Sequence, residues 1–284
     1  MAVLYLPWPL DTGRGVRENI FLPGSNVVYD FHGDPCQAEL VITMEGNQFM
    51  VIPALLEAFY DYLGRRVSVF YITLPPPRLR PLVEGRPLAI GNLVVSVKPQ
   101  VVMGPPEFMK GLYKEGLIEK PRTFMRNRGV VLVVKRGNPR EISGPEDLLR
   151  PDIRVAISNP ETEVNSYRTY LSALEHLPGL REKIEREALK SRVIHHREIP
   201  AMIHQDLADV APLYYHFALY YRNPEFFEEP LFDYLEFEEG RRIRSEYQVA
   251  LMQGGACHEV AAAFRDFLFT ETARRIYERY GFEL

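Results

Sequence analysis

Cysteine, tryptophan and surplus positive charge are all scarce in this chain. Its 284 residues include 2 Cys and 1 Trp, and 34 Lys+Arg stand against 38 Asp+Glu for a formal net charge of -4. Two cysteines, Cys36 and Cys257, cannot build a disulfide-dense scaffold. They are either two buried thiols or one bond that requires an oxidising compartment. The missing basic excess argues against a nucleic-acid partner, whose binders usually show a basic face. No run approaches the ~20 apolar residues that span a membrane. The apolar N-terminus, Met1 to Leu10, has no basic start, carries Pro7 and Pro9, and is too short for the apolar region of a signal peptide. The chain is therefore expected either to have lost an export signal or to stay in the cytoplasm. There is no phosphate loop, dinucleotide fingerprint, nucleophile elbow or zinc spacing, so no cofactor and no metal are expected. An enzymatic reading is left with His196, Glu198 and Tyr214 as acid–base groups.

Short β-branched runs alternate with stretches of helical period over most of the length, which predicts an α/β fold. Residues 1–38 are rich in Gly, Pro and Asn and read as an N-terminal arm. Glu39 to Met44 is a strand, Glu45 to Gln48 a turn, and Phe49 to Leu63 a helix ended by Gly64. Arg66 to Ile72 is a strand, and Pro75-Pro76-Pro77 a rigid loop. Pro99 to Pro106 is a strand running into a loop, and Glu107 to Glu115 is a helix. The fully apolar run Gly129 to Val134 reads as a strand buried on both faces, which suits a parallel or mixed sheet. Strands at Arg154–Ile157, Val193-Ile194, Asp209–Tyr215 and Tyr247–Met252 follow. Among them lie helices at Val164–Leu177, Arg181–Leu189 and Ile199–Gln205, and two more close the chain, from Val260 and from Thr272.

Several segments carry a family resemblance, in order. They are Gly46-Asn47-Gln48 after a strand, Thr73 at a strand end, and Gly104-Pro105-Pro106-Glu107. Asn127 to Val134 follows, running into Gly137-Asn138-Pro139. The last are Asn159-Pro160-Glu161 to Tyr167, Asp209 to Tyr215, and Phe264 to Phe267 with Gly281-Phe282. From about Glu39 to the end the chain resembles the type 2 solute-binding proteins of ABC transporters, and among them the molybdate/tungstate-binding branch. The resemblance implies a two-lobed α/β clamp with mixed sheets. Lobe 1 would hold residues 39–128 and 252–284, lobe 2 residues 129–251. Two strand crossings would form the hinge, near Arg128–Val133 and near Tyr247–Leu251.

It further implies a monomer, periplasmic or extracellular if an export signal was removed, that captures a small oxyanion between its lobes. The ligand would then pass to an ABC transporter permease. Helix N-termini supply unpaired N–H groups and a favourable dipole for an anion. The ligand-binding residues implied are Gly46, Asn47, Gln48, Thr73, Val164, Asn165, Ser166, Arg197 and Tyr214. For such a ligand Glu45 and Glu163 would have to point away. Two features depart from the molybdate pattern: Gly46-Asn47 where a serine is usual, and the tetrad His195-His196-Arg197-Glu198. Successive strand residues face opposite sides, so both histidines cannot serve one metal. Arg197 with one histidine is expected to donate to an anion. A cytoplasmic anion sensor or store on the same fold, and a binder of a small organic ligand, are the alternatives.

Overall fold

Alternating strand and helix patterns do produce a mixed α/β fold, in two units that divide at Arg126/Asn127 and at Ser245/Glu246. The computed structural model describes residues 30–90, 93–191, 196–225, 227–254 and 259–284. Most of the expected arm, with Val193, Ile194, His195 and Cys257, lies outside them. Among the described residues no helix is long and apolar enough to cross a membrane. Cys36 is a free, exposed thiol, so the expectation of two buried thiols fails at that position.

The first unit holds the described residues up to Arg126 together with Glu246–Leu284. Its seven-stranded sheet runs in the order Phe31–His32, Val69–Thr73, Leu40–Met44, Val101–Gly104, Glu246–Leu251, Arg122–Asn127, Phe282–Glu283. The central strands Val69–Thr73, Leu40–Met44 and Val101–Gly104 are parallel, and Glu246–Leu251 runs antiparallel to both of its neighbours. All five residues of Leu40–Met44 are buried, as expected of a strand covered on both faces. Helix Ile52–Leu63 buries Ile52, Leu55, Leu56 and Phe59, and its Phe59 ring meets Phe264 edge-on at 5.1 Å. It stops at Gly64, which takes φ +73°, a conformation that glycine adopts without strain.

The triple proline is not a loop. Pro76 opens the helix Pro76–Val83 and Pro77 follows in its first turn. There a missing N–H breaks no intrahelical bond, and the fixed φ suits the helix.

The second unit is Asn127–Ser245. Here Val130–Lys135 lies between Val210–Tyr214 and Phe232–Glu236, antiparallel to both. Val130 to Val134 are all buried, as the apolar run predicts, but the partners are not parallel. Helices Ile199–His204, Tyr215–Tyr220 and Glu238–Arg242 pack on this strand, and that cover accounts for its continuous burial. The parallel component lies beside it. Ala156–Ile157 pairs with Leu189–Lys190 in parallel, and a single parallel bridge joins Val155 to Val210.

Residues 246–251, expected in the second lobe, belong instead to the large sheet of the first unit. Their hydrogen bonds on both edges settle it, as do the two bonds of 3.0 and 2.8 Å from the Arg126 guanidinium to Glu246 Oε1. On the other side of the boundary, Asn127 binds its two neighbouring chain segments together. Its N–H donates to the Ser245 carbonyl at 3.0 Å. Its side-chain oxygen accepts from the N–H groups of Gly129 (3.3 Å) and Ser245 (3.1 Å). Gly129 takes φ +106°, and a Cβ there would stand 2.3 Å from the Gly240 carbonyl oxygen, so only glycine fits.

Candidate functional site

In the first unit the expected ligand residues stand where parallel strands end, the usual place for a site in such sheets. Gly46–Gln48 forms a 3-10 turn directly after Leu40–Met44. Gly46 and Gln48 are buried and Asn47 is half-buried. The Gln48 carboxamide is engaged at both ends: Nε2 donates to Glu45 Oε1 at 2.7 Å, and Oε1 accepts from the Tyr277 hydroxyl at 2.9 Å. Burial, followed by the charge of Glu45, pushes the Tyr277 phenol well above its ordinary value, so it remains a donor. Thr73 is equally committed. Its hydroxyl donates to Asp30 Oδ1 at 3.1 Å, and its N–H donates to the Asp30 carbonyl at 3.0 Å. Glu45 does not turn out to solvent, as an oxyanion would require. It is buried beside Gln48.

In the second unit the strand Ala156–Ile157 ends in a loop, and helix Val164–Leu174 begins after it. Asn159 organises the loop. Its N–H donates to Ser191 Oγ (3.0 Å) and its Nδ2 to the Ser191 carbonyl (3.1 Å). Its Oδ1 accepts from the Glu161 N–H (2.8 Å), and its carbonyl from the Glu163 N–H (2.9 Å). Glu163 occupies the N-cap without a side-chain capping bond, which leaves the first-turn N–H groups unclaimed by a cap. Of the three residues expected here, Val164 is half-buried, Asn165 is exposed and Ser166 is buried. The Ser166 hydroxyl donates to Glu163 Oε2 at 3.4 Å, so Glu163 too is buried against the residue it was expected to avoid.

Arg197 and Tyr214 are both buried, and His196, which precedes Arg197, packs on Tyr214. Arg197, in the turn His196–Glu198, is only 3% exposed, and Tyr214, the last residue of its strand, is likewise 3% exposed. The Tyr214 ring packs on Tyr170 (5.0 Å), on His196 (5.6 Å, edge-on) and on His216 (5.3 Å, stacked). The Tyr170 hydroxyl lies 2.7 Å from His196 Nδ1. Burial pushes His216 down to about 3, so its ring is neutral near pH 7. Burial raises the Tyr221 phenol, and the charge of Arg197 offsets part of that rise. A guanidinium held this deep needs acceptors or an anion to balance the loss of water.

Other residues of this region escape a reading from sequence. Tyr170 and His216 have no local signature, since an aromatic at helical spacing reads as core. Ser158 is fully buried, and its hydroxyl has no hydrogen-bond partner among the described residues. Its only sequence signal is its place just after a strand. Among the described residues no group of three or more His, Cys, Asp and Glu is arranged to hold a metal ion. His195 lies outside them.

Residues 90–283 match the family model described as bacterial extracellular solute-binding protein. No curated protein matches the chain. Among solved structures the chain is similar to the periplasmic molybdate-binding protein of Azotobacter vinelandii, with TM-score 0.66 and 16% identity over 86% of this chain and 99% of that one. It is similar to the sulfate-binding protein SubI of Mycobacterium tuberculosis, with TM-score 0.63 and 20% identity over 86% of this chain and 85% of that one. It is also similar to iron-bound HitA of Pseudomonas aeruginosa, with TM-score 0.61 and 13% identity over 84% of this chain and 82% of that one. At these identities the likeness is one of fold. That fold is the type 2 binding-protein architecture, and it hosts molybdate, sulfate and iron without choosing among them.

Proposed function

Since the chain belongs to the bacterial extracellular solute-binding proteins, we propose that it captures a small oxyanion of the molybdate or tungstate kind and delivers it, as a monomer outside the cytoplasm, to an ABC transporter permease. The family is one of binding receptors rather than enzymes. The observation that carries the anion reading is Arg197, a guanidinium only 3% exposed in the turn His196–Glu198, next along the chain to His196, whose ring packs on Tyr214 at the end of its strand. Arg197 supplies charge and a planar donor fork. The N–H groups of Val164, Asn165 and Ser166 open helix Val164–Leu174 and add donors with a favourable dipole. Tyr214 adds a hydroxyl. In the first unit Gly46 and Asn47 serve through the backbone of their turn, because Gln48 and Thr73 are engaged by Tyr277 and Asp30.

One observation favours a second reading. Glu45, Asp30 and Glu163 are all buried beside the expected donors. Carboxylates so placed suit a ligand that brings donors of its own, such as a small organic anion bearing hydroxyl groups. A thermal-shift panel of molybdate, tungstate, sulfate, phosphate and hydroxylated organic acids separates the two. A true ligand at 100 times its Kd stabilises by ~2.7 kcal/mol, a readily visible shift. A response to organic acids with none to any inorganic oxyanion would sink the first reading.

A further inference from the structure

We infer that Ser158 is a ligand-binding residue whose hydroxyl donates to an oxygen of the bound anion. The inference rests on the anion reading above and adds to it a residue that the family pattern does not single out. Ser158 is 0% exposed, and its Oγ finds no hydrogen-bond partner among the described residues. Buried hydroxyls are almost always paired, so an unpaired one needs a reason. Poor local packing is not that reason, because the surrounding loop is thoroughly bonded. Asn159 uses its N–H, carbonyl and both side-chain polar atoms on Ser191, Glu161 and Glu163. The Ser191 N–H donates to the Ile157 carbonyl at 3.0 Å. The loop thus satisfies its neighbours and leaves the Ser158 hydroxyl over.

Its position is the second argument. Ile157 pairs in parallel with Lys190, and Val155 bridges in parallel to Val210. Extending that register puts Ser158 level with Leu213, one residue short of Tyr214 and just past the carboxyl end of its own strand. Anion sites in such sheets lie beyond that edge. A few residues on, helix Val164–Leu174 opens with first-turn N–H groups that no capping side chain takes. Ser158 therefore offers a neutral, buried donor on the same edge as the helix start and the carboxyl end of the strand that closes on Tyr214. The fitting class is a small oxyanion, and a hydroxyl donor tolerates tetrahedral or planar geometry.

The test is calorimetry and thermal melting of the full chain with molybdate, sulfate and inorganic phosphate as probes. Ser158→Ala removes only the hydroxyl. The inference expects it to melt no lower than wild type without anion, since it deletes an unsatisfied group. It should bind the best wild-type anion roughly tenfold more weakly, the loss of one neutral hydrogen bond. Ser158→Cys keeps the volume with a weaker donor and should fall between them. It also supplies the comparison should the alanine variant fold poorly. If wild type binds an anion and both variants bind it equally well, Ser158 is structural and the anion reading stands. A variant that melts lower and loses affinity only in proportion is also a structural result. If wild type binds none of the three anions, both readings fall together.

Discussion

The strand-end loops of the two units use similar polar residues to opposite effect. In the first unit the side chains of Thr73 and Gln48 are spoken for by the fold: Thr73 by Asp30, and Gln48 by Glu45 and Tyr277. In the second unit the buried Ser158 hydroxyl has no partner among the described residues, and helix Val164–Leu174, which begins a few residues later, has no side-chain cap. A polar residue after a strand is thus no guide to ligand contact until its own partners are counted. On the proposed reading, charge recognition lies in the second unit, and Thr73 and Gln48 of the first are structural.

The widest expected separation between the units comes from paired substitutions. Arg197→Met should weaken anion binding by about 2–4 kcal/mol, the usual loss when one member of a buried charge pair is removed. Thr73→Val should change it less than about fivefold, because its hydroxyl already serves Asp30. Calorimetric titration of both variants with one anion measures the difference, and equal losses would erase the distinction.

Next comes the stability of the second unit. Burial alone would raise the Asp209 carboxyl, but the hydrogen bonds and charge of Arg154, with Arg140, outweigh it and hold the group at about 2. A lowered carboxyl stabilises the fold above its unfolded value of about 3.8, and this contribution is lost as pH falls through about 2. Asp209→Asn should therefore cost about 2–3 kcal/mol at pH 7 and progressively less towards pH 2. Urea denaturation at several pH values tests this, and a penalty independent of pH would contradict it.

A smaller effect is expected in the first unit. Tyr277→Phe leaves Gln48 Oε1 short of its donor and should destabilise by about 1–2 kcal/mol while anion affinity holds. Denaturation and calorimetry on one preparation check the two halves of that statement. The least change concerns His216. Its value of about 3 lies below the ordinary 6.5, so the neutral ring favours folding above about 6.5, and that advantage fades as pH falls towards 3. Between pH 6.5 and 8 neither stability nor affinity should respond to it. An NMR titration that finds His216 protonating near 6.5 would show the ring to be hydrated.

Legibility from sequence follows burial. Leu40–Met44 and Val130–Lys135 are readable because continuous apolar runs admit few other states. Helix Ile52–Leu63 is readable from its apolar face and from Gly64. Strand Phe232–Glu236 alternates only weakly and is half-exposed, so its pattern is faint. The strand expected over Asp209–Tyr215 ends at Tyr214, and Tyr215, the last residue assigned to it, opens the helix Tyr215–Tyr220. Among the proposed ligand residues, Arg197 and Tyr214 are singled out by residue type and by the family resemblance. Ser158 is not, since no local pattern records whether a hydroxyl has found a partner. Nor does the sequence tell that Thr73 and Gln48 meet Asp30 and Tyr277, which are distant along the chain.

Hydrogen–deuterium exchange with and without a bound anion tests the central claim most directly. The account predicts that protection will concentrate on 158–166, on His196–Glu198 and around Tyr214. Saturation with an anion that leaves these segments unchanged, while 45–48 and Thr73 become protected, would contradict it.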